Sequence, residues 1–241
     1  MQPPLLFVHG TFGQASNFEP WLGYFRDAGY ACSAISLPGH EPPDSDLLKR
    51  LTLNDYLAAV SNAIRQADRP PVVIGHSLGG LLALMVAAGT ECAGLVLVGA
   101  PAPGQLPAQI GVLRYALTFV PRIAAGLPIS APPEAVRSLV THDLSAAESE
   151  EIIAQGTLES GRVLRRLFFG VSRSVFGGIK CPVLCLGGGA DRLVPLSAAE
   201  SIATATGGDL VVFPGHGHWL IAGSLTDVVA ASVKAWLQRN F

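Results

Sequence analysis

Val72-Val73-Ile74-Gly75-His76-Ser77-Leu78-Gly79-Gly80-Leu81-Leu82-Ala83-Leu84 decides how this chain folds. Its first three residues are β-branched and favour a strand, whereas the run from Leu78 onward favours a helix. Both halves are apolar without alternation, so both are expected to be buried. Between them lies Gly75-His76-Ser77-Leu78-Gly79, a G-x-S-x-G pattern in the strand–turn–helix setting that gives it meaning. A turn this tight brings backbone against the residues two before and two after the serine, so both must be glycine. Gly80 lets the helix lie close to neighbouring strands. Ser77 then stands at a helix N-terminus, where the dipole favours developing negative charge. The stretch from Val72 to Gly89 is long enough to suggest a membrane span. Gly75, His76, Ser77, Gly79 and Gly80 inside it fit a buried strand turning into a buried helix instead.

Further strands follow on either side: Leu5–Val8, Cys32–Leu37, Leu95–Val98, Pro182–Leu186 and Leu210–Phe213. Helical spacing runs over Asn17–Ala28, over Leu53–Ala67 with Thr52 or Asn54 as N-cap, and over Ser224–Arg239. Alternating strands and helices with continuous apolar strands predict an α/β fold, a mostly parallel six-stranded sheet with helices on both faces. From Pro101 to Gly178 the alternation stops. No strand is visible there, and helical patterns (Val112–Ile123, Ser145–Gly156, Ser160–Phe169) are separated by Pro and Gly. The expected organisation is a core of residues 1–100 and 179–241 with a helical cap inserted at 101–178.

Composition narrows the function classes. The 241 residues are 49% hydrophobic and 14% charged, enough to build a large core. A net charge of −2 gives no reason to expect nucleic acid or an anionic membrane surface as partner. No signal peptide is visible after Met1, which implies a cytoplasmic protein. The four cysteines, Cys32, Cys92, Cys181 and Cys185, have no metal-ligand spacing, so free buried thiols are expected.

The candidate chemistry sits just past strand ends, where open α/β sheets place their sites. Ser77 is a candidate nucleophile. His9-Gly10-Thr11 follows the first strand, where a loop amide could hold an oxyanion beside the amide of Leu78; Thr11 is the first choice and Phe12 the second. His9 then holds the loop. Asp191 follows the fifth strand, with Pro195 able to open the next helix. The position after the preceding strand reads Gly99-Ala100-Pro101-Ala102 and offers no carboxylate. After the last strand, His216 and His218 compete for the role of base.

Together these motifs resemble the α/β-hydrolase superfamily, in its cap-bearing esterase and lipase-like branch, over Leu5 to Leu237. The resemblance implies the chain order Ser77, Asp191, His218 for a catalytic triad. The last loop of that family commonly ends in Gly-x-Gly-His before an aromatic, which selects His218 over His216. The family often begins with two more strands than this chain has, so Cys32–Leu37 should be a sheet edge, leaving a monomer or a homodimer paired through it. The implied activity is acyl-enzyme hydrolysis of small to medium, apolar carboxylic esters. No metal or organic cofactor is required. Lactone, thioester or C–C bond hydrolysis, or a slow-turnover ligand receptor, are the alternatives. Phe12, Phe119, Phe168, Phe176 and Trp219 are candidates to contact substrate.

Overall fold

The computed structural model describes residues 2–104, 115 and 119–241. In chain order the core elements are β1 (Leu5–Val8), α1 (Glu19–Asp27), β2 (Cys32–Ile35), α2 (Ser45–Leu48), α3 (Leu53–Gln66), β3 (Val72–His76), α4 (Leu78–Ala87) and β4 (Gly94–Val98). Then come β5 (Ile129–Ser130), α5 (Ala146–Ala154), β6 (Leu158–Glu159), α6 (Gly161–Phe168), β7 (Val183–Gly188), α7 (Leu196–Thr206), β8 (Asp209–Phe213) and α8 (Thr226–Asn240).

Six strands form one parallel sheet in the order β2-β1-β3-β4-β7-β8. The Cys32 strand is therefore an edge, as expected, although it stops at Ile35 rather than Leu37. β1 shows why the strands read as unbroken apolar runs. Leu5 and Phe7 face a cluster with Trp21 and Phe25 of α1 and Trp236 of α8. Leu6 and Val8 face the opposite cluster, with Tyr56 and Val60 of α3, Leu82 of α4 and Ile202 of α7. Each fully buried Leu or Phe contributes roughly 1.5–3 kcal/mol of transfer free energy. Thr52 caps α3, and the Asp55 carboxylate accepts the Thr52 N–H at 2.7 Å.

Val8 pairs in register with Gly75, so the loops after β1 and β3 leave the sheet side by side. This adjacency positions the site. The chain leaves the sheet after β4 and re-enters at β7, the strand beside it. The described part of the intervening segment is mostly helical, but it contains a two-stranded antiparallel sheet, β5 with β6, where no strand was expected. Two residues per strand are too few for a period-two signal to register. Half of the expected Val112–Ile123 helix lies outside the described residues, and its described part, 115 and 119–123, is helical. All four cysteines are free thiols. Among the described residues, no helix is long and apolar enough to cross a membrane.

Candidate active site

Ser77 joins β3 to α4 with φ 51° and ψ −119°, a backbone conformation that non-glycine residues adopt only under constraint. The constraint is visible in its neighbours. A Cβ on Gly75 would lie 2.4 Å from the Gly79 carbonyl oxygen, and one on Gly80 would lie 2.6 Å from Ala100 Cβ. The Ser77 N–H donates to the Val98 carbonyl of β4 at 2.8 Å. Gly10 packs against the serine so closely that a Cβ there would sit 2.9 Å from Ser77 Cβ. Thr11 is thus held beside Ser77. The first turn of α4 leaves the Leu78 N–H without an intrahelical acceptor.

Asp191 follows β7. Its Oδ1 accepts the N–H groups of Leu193 at 2.8 Å and Val194 at 2.9 Å, which fixes the carboxylate. Its Oδ2 lies 2.7 Å from His218 Nδ1, with both side chains buried. Burial alone would push the Asp191 carboxyl up. The charge and hydrogen bond of His218, with the two amides, outweigh it and hold the group below the ordinary carboxylate range. An ionised Asp191 accepts the Nδ1 proton, which in the neutral imidazole leaves Nε2 as the basic nitrogen. Gly99, at φ +56°, flanks the ring, and a Cβ there would come within 3.3 Å of His218 Cε1. His216 is elsewhere: its Nδ1 lies 3.5 Å from Asp143 Oδ2. Asp143 also accepts the Gly217 N–H at 2.8 Å.

Two more histidines are structural. His9 donates from Nδ1 to the Gly10 carbonyl and accepts the Leu37 N–H at Nε2, both at 2.8 Å. His76 donates from Nε2 to the His218 carbonyl at 3.1 Å. Burial, aided by the charge of a neighbouring histidine, lowers each to about 3, so both are neutral.

Ser77, His218, Thr11 and Leu78 open into one cavity of about 560 Å³. Phe12, Phe119, Phe168 and Trp219 line it, as do other described residues between β4 and β7, among them Ile123, Val136 and Val171. Among the described residues, no Asp, Glu, Lys or Arg side chain lines this space.

The alpha/beta hydrolase family model matches residues 5–231. The chain belongs to the alpha/beta hydrolase family. As a member of it, the chain is 26% identical to the pimeloyl-[acyl-carrier protein] methyl ester esterase of Stenotrophomonas maltophilia, over 95% of this chain and 91% of that protein. It is 27% identical to the pyrethroid hydrolase of Sphingobium wenxiniae over 76 residues, which span only 27% of that relative and 32% of this chain. In fold, this alpha/beta hydrolase is similar to an extracellular α/β-hydrolase from a Paenibacillus species. There the TM-score is 0.77 and the identity 18%, over 97% of this chain and 99% of that one. A monoacylglycerol lipase from Paleococcus ferrophilus gives a TM-score of 0.76 at 18% identity, over 100% and 97%. At such identities the solved structures speak for the fold alone.

Phe176 is a correction. The turn of 3-10 helix Arg173–Gly178 carries the chain back toward β7, and Phe176 packs there against the α3–α4 core cluster, away from the cavity lining. The Arg173 guanidinium covers its ring at 5.7 Å. Sequence reading also missed Glu159, which is completely buried with His40 and Tyr56. Its partners are 119 and 103 residues distant, so no local pattern could reveal it.

Proposed function

We propose that this alpha/beta hydrolase is a carboxylesterase acting on neutral, apolar esters through an acyl-enzyme. The observation that carries the reading is the 2.7 Å contact of Asp191 with His218, whose ring lines the same cavity as a serine held in a strained strand-to-helix turn. In this reading His218 Nε2 takes the proton of Ser77 Oγ as the oxygen attacks the ester carbonyl. Asp191 fixes the tautomer and stabilises the imidazolium. The amides of Thr11 and Leu78 hold the oxyanion, each worth about 3 kcal/mol in the transition state. Collapse expels the alcohol, which takes the proton from His218. Water, deprotonated by the same nitrogen, then releases the acid and regenerates Ser77.

The choice between Thr11 and Phe12 is supported by their bonds. The Phe12 N–H is engaged by Glu159 at 3.4 Å, whereas the Thr11 N–H has no acceptor among the described residues. The apolar, uncharged lining suits a substrate without charge in its acyl part, because a charge moved there would lose its hydration unpaired. In this reading the described part of the segment from 101 to 178, which lines this space, acts as a cap over Ser77. A screen of p-nitrophenyl esters of graded chain length, with lactones and thioesters alongside and Ser77→Ala as control, tests the reading. Serine-dependent turnover favouring esters supports it; preference for thioesters or lactones, or a single burst without turnover, rejects it.

A further inference from the structure

Glu159 is a carboxylate with no exposed surface, carried on β6 into the core beneath the loop after β1. Its Oε1 accepts the Tyr56 hydroxyl at 2.7 Å and the Ser160 N–H at 2.8 Å. Its Oε2 lies 3.4 Å from His40 Nε2 and accepts the Phe12 N–H, also at 3.4 Å. A charge this deep is tolerated only with partners on all sides. Burial alone would raise its pKa, yet the His40 contact and these donors bring the group below the ordinary carboxylate range. The Phe12 bond is long, and its weight comes from the ionised acceptor.

Phe12 is the other non-glycine residue, besides Ser77, with positive φ among the described residues, at 61°. The chain around β6 grips it from both ends. Glu159 takes its N–H, and the Thr157 N–H donates to its carbonyl at 2.8 Å. The Thr157 hydroxyl adds a bond to the Gly13 carbonyl at 3.2 Å, and Asn17 Nδ2 donates to Gln155 at 3.0 Å. An unfavourable backbone conformation persists only when its surroundings determine it, and here the surroundings come from the segment between β4 and β7.

We propose that Glu159 is a positioning residue of the oxyanion hole: by binding the Phe12 amide it holds the loop in the conformation that leaves the Thr11 amide free beside Ser77. The inference rests on the esterase reading. It adds that the segment over the site sets the geometry of catalysis as well as the shape of the cavity. Loss of the carboxylate should therefore weaken transition-state binding and leave ground-state binding alone.

The test uses the full chain with Glu159→Gln. Glu159→Asp runs in parallel, keeping the charge but shortening its reach. Active sites are titrated with a fluorophosphonate, and kcat and KM are then measured per titrated site on p-nitrophenyl butyrate. Inhibition by an alkyl trifluoromethyl ketone, whose adduct carries an oxyanion, is measured beside them. The expected result is a kcat lowered tenfold or more, KM within twofold, and ketone affinity falling in parallel with kcat. A purely structural role would lower the melting temperature and leave kcat per site alone. If either folded variant keeps kcat and ketone affinity within threefold of wild type, the inference is wrong while the esterase reading stands. If the wild-type rate survives Ser77→Ala, the underlying reading falls, and this inference with it.

Discussion

Gly79 lies so close beneath β1 that a Cβ on it would sit 2.1 Å from the Val8 carbonyl oxygen. The obstructing atom is backbone in a central strand, so it cannot move aside without breaking the sheet. Gly79→Ala is expected to lower stability by more than about 3 kcal/mol, or to prevent folding, through overpacking rather than loss of a catalytic group. Urea unfolding followed by circular dichroism checks this, and a wild-type midpoint would contradict it.

Ser77 has the opposite relation to its own backbone. At φ 51° and ψ −119° it bears strain that glycine would not feel. Ser77→Gly should abolish hydrolysis and raise the unfolding free energy by about 1 kcal/mol. A variant that is inactive but less stable than wild type would show that the turn is unstrained.

The two histidines of the last loop should separate cleanly. Removing His218, the partner of Asp191, should cost activity by about three orders of magnitude or more, leaving mainly oxyanion-hole catalysis. His216→Ala loses only the contact with Asp143 and should cost less than about tenfold. Equal losses on p-nitrophenyl butyrate would reverse the assignment.

His9 and His76 make acid sensitivity a property of the core. Each has an ordinary value of 6.5 and a folded value of about 3. Below pH 6.5 the unfolded chain takes up protons that the folded chain refuses. Their contribution is thus complete above 6.5 and drains away as the pH falls toward 3, at about 1.4 kcal/mol per pH unit for each. The urea midpoint should drop steadily between pH 6.5 and pH 4. A flat profile over that range would count against neutral, buried rings.

An uncharged lining also predicts discrimination. Against p-nitrophenyl butyrate, an ester of similar size whose acyl chain ends in a carboxylate should show kcat/KM lower by about a hundredfold or more, since no cation among the described lining residues meets it. Comparable rates for the two would require a cation near the acyl end.

Much of this molecule was legible in its sequence because the signals were local. Val72–Ile74 and Leu95–Val98 announced buried strands by composition. The glycines flanking Ser77 stood where backbone contact demands them. Asp191 stood out because it follows a strand; the last loop offered His216 and His218 alike, and only the resemblance to a family favoured His218. What stayed hidden depended on distant partners or on very short elements. Glu159 looks like any charged residue before an amphipathic helix, and only the fold brings Tyr56, His40 and Phe12 around it. The β5–β6 pair is too brief to leave a pattern. Phe176 has the composition of a pocket residue, and its burial against the α3–α4 cluster follows from where the chain turns back to β7.

The segment between β4 and β7 leaves and rejoins the sheet through neighbouring strands. Such a detour can change in length and composition without disturbing strand order, which makes it a natural place for one scaffold to acquire new substrates. Glu159 and Thr157 limit that freedom. A segment transplanted from a relative would have to bring its own groups to hold Phe12, or the recipient would bind new esters and turn them over poorly. With Glu159 in the role proposed above, exchange at this position is modular for recognition but not for rate.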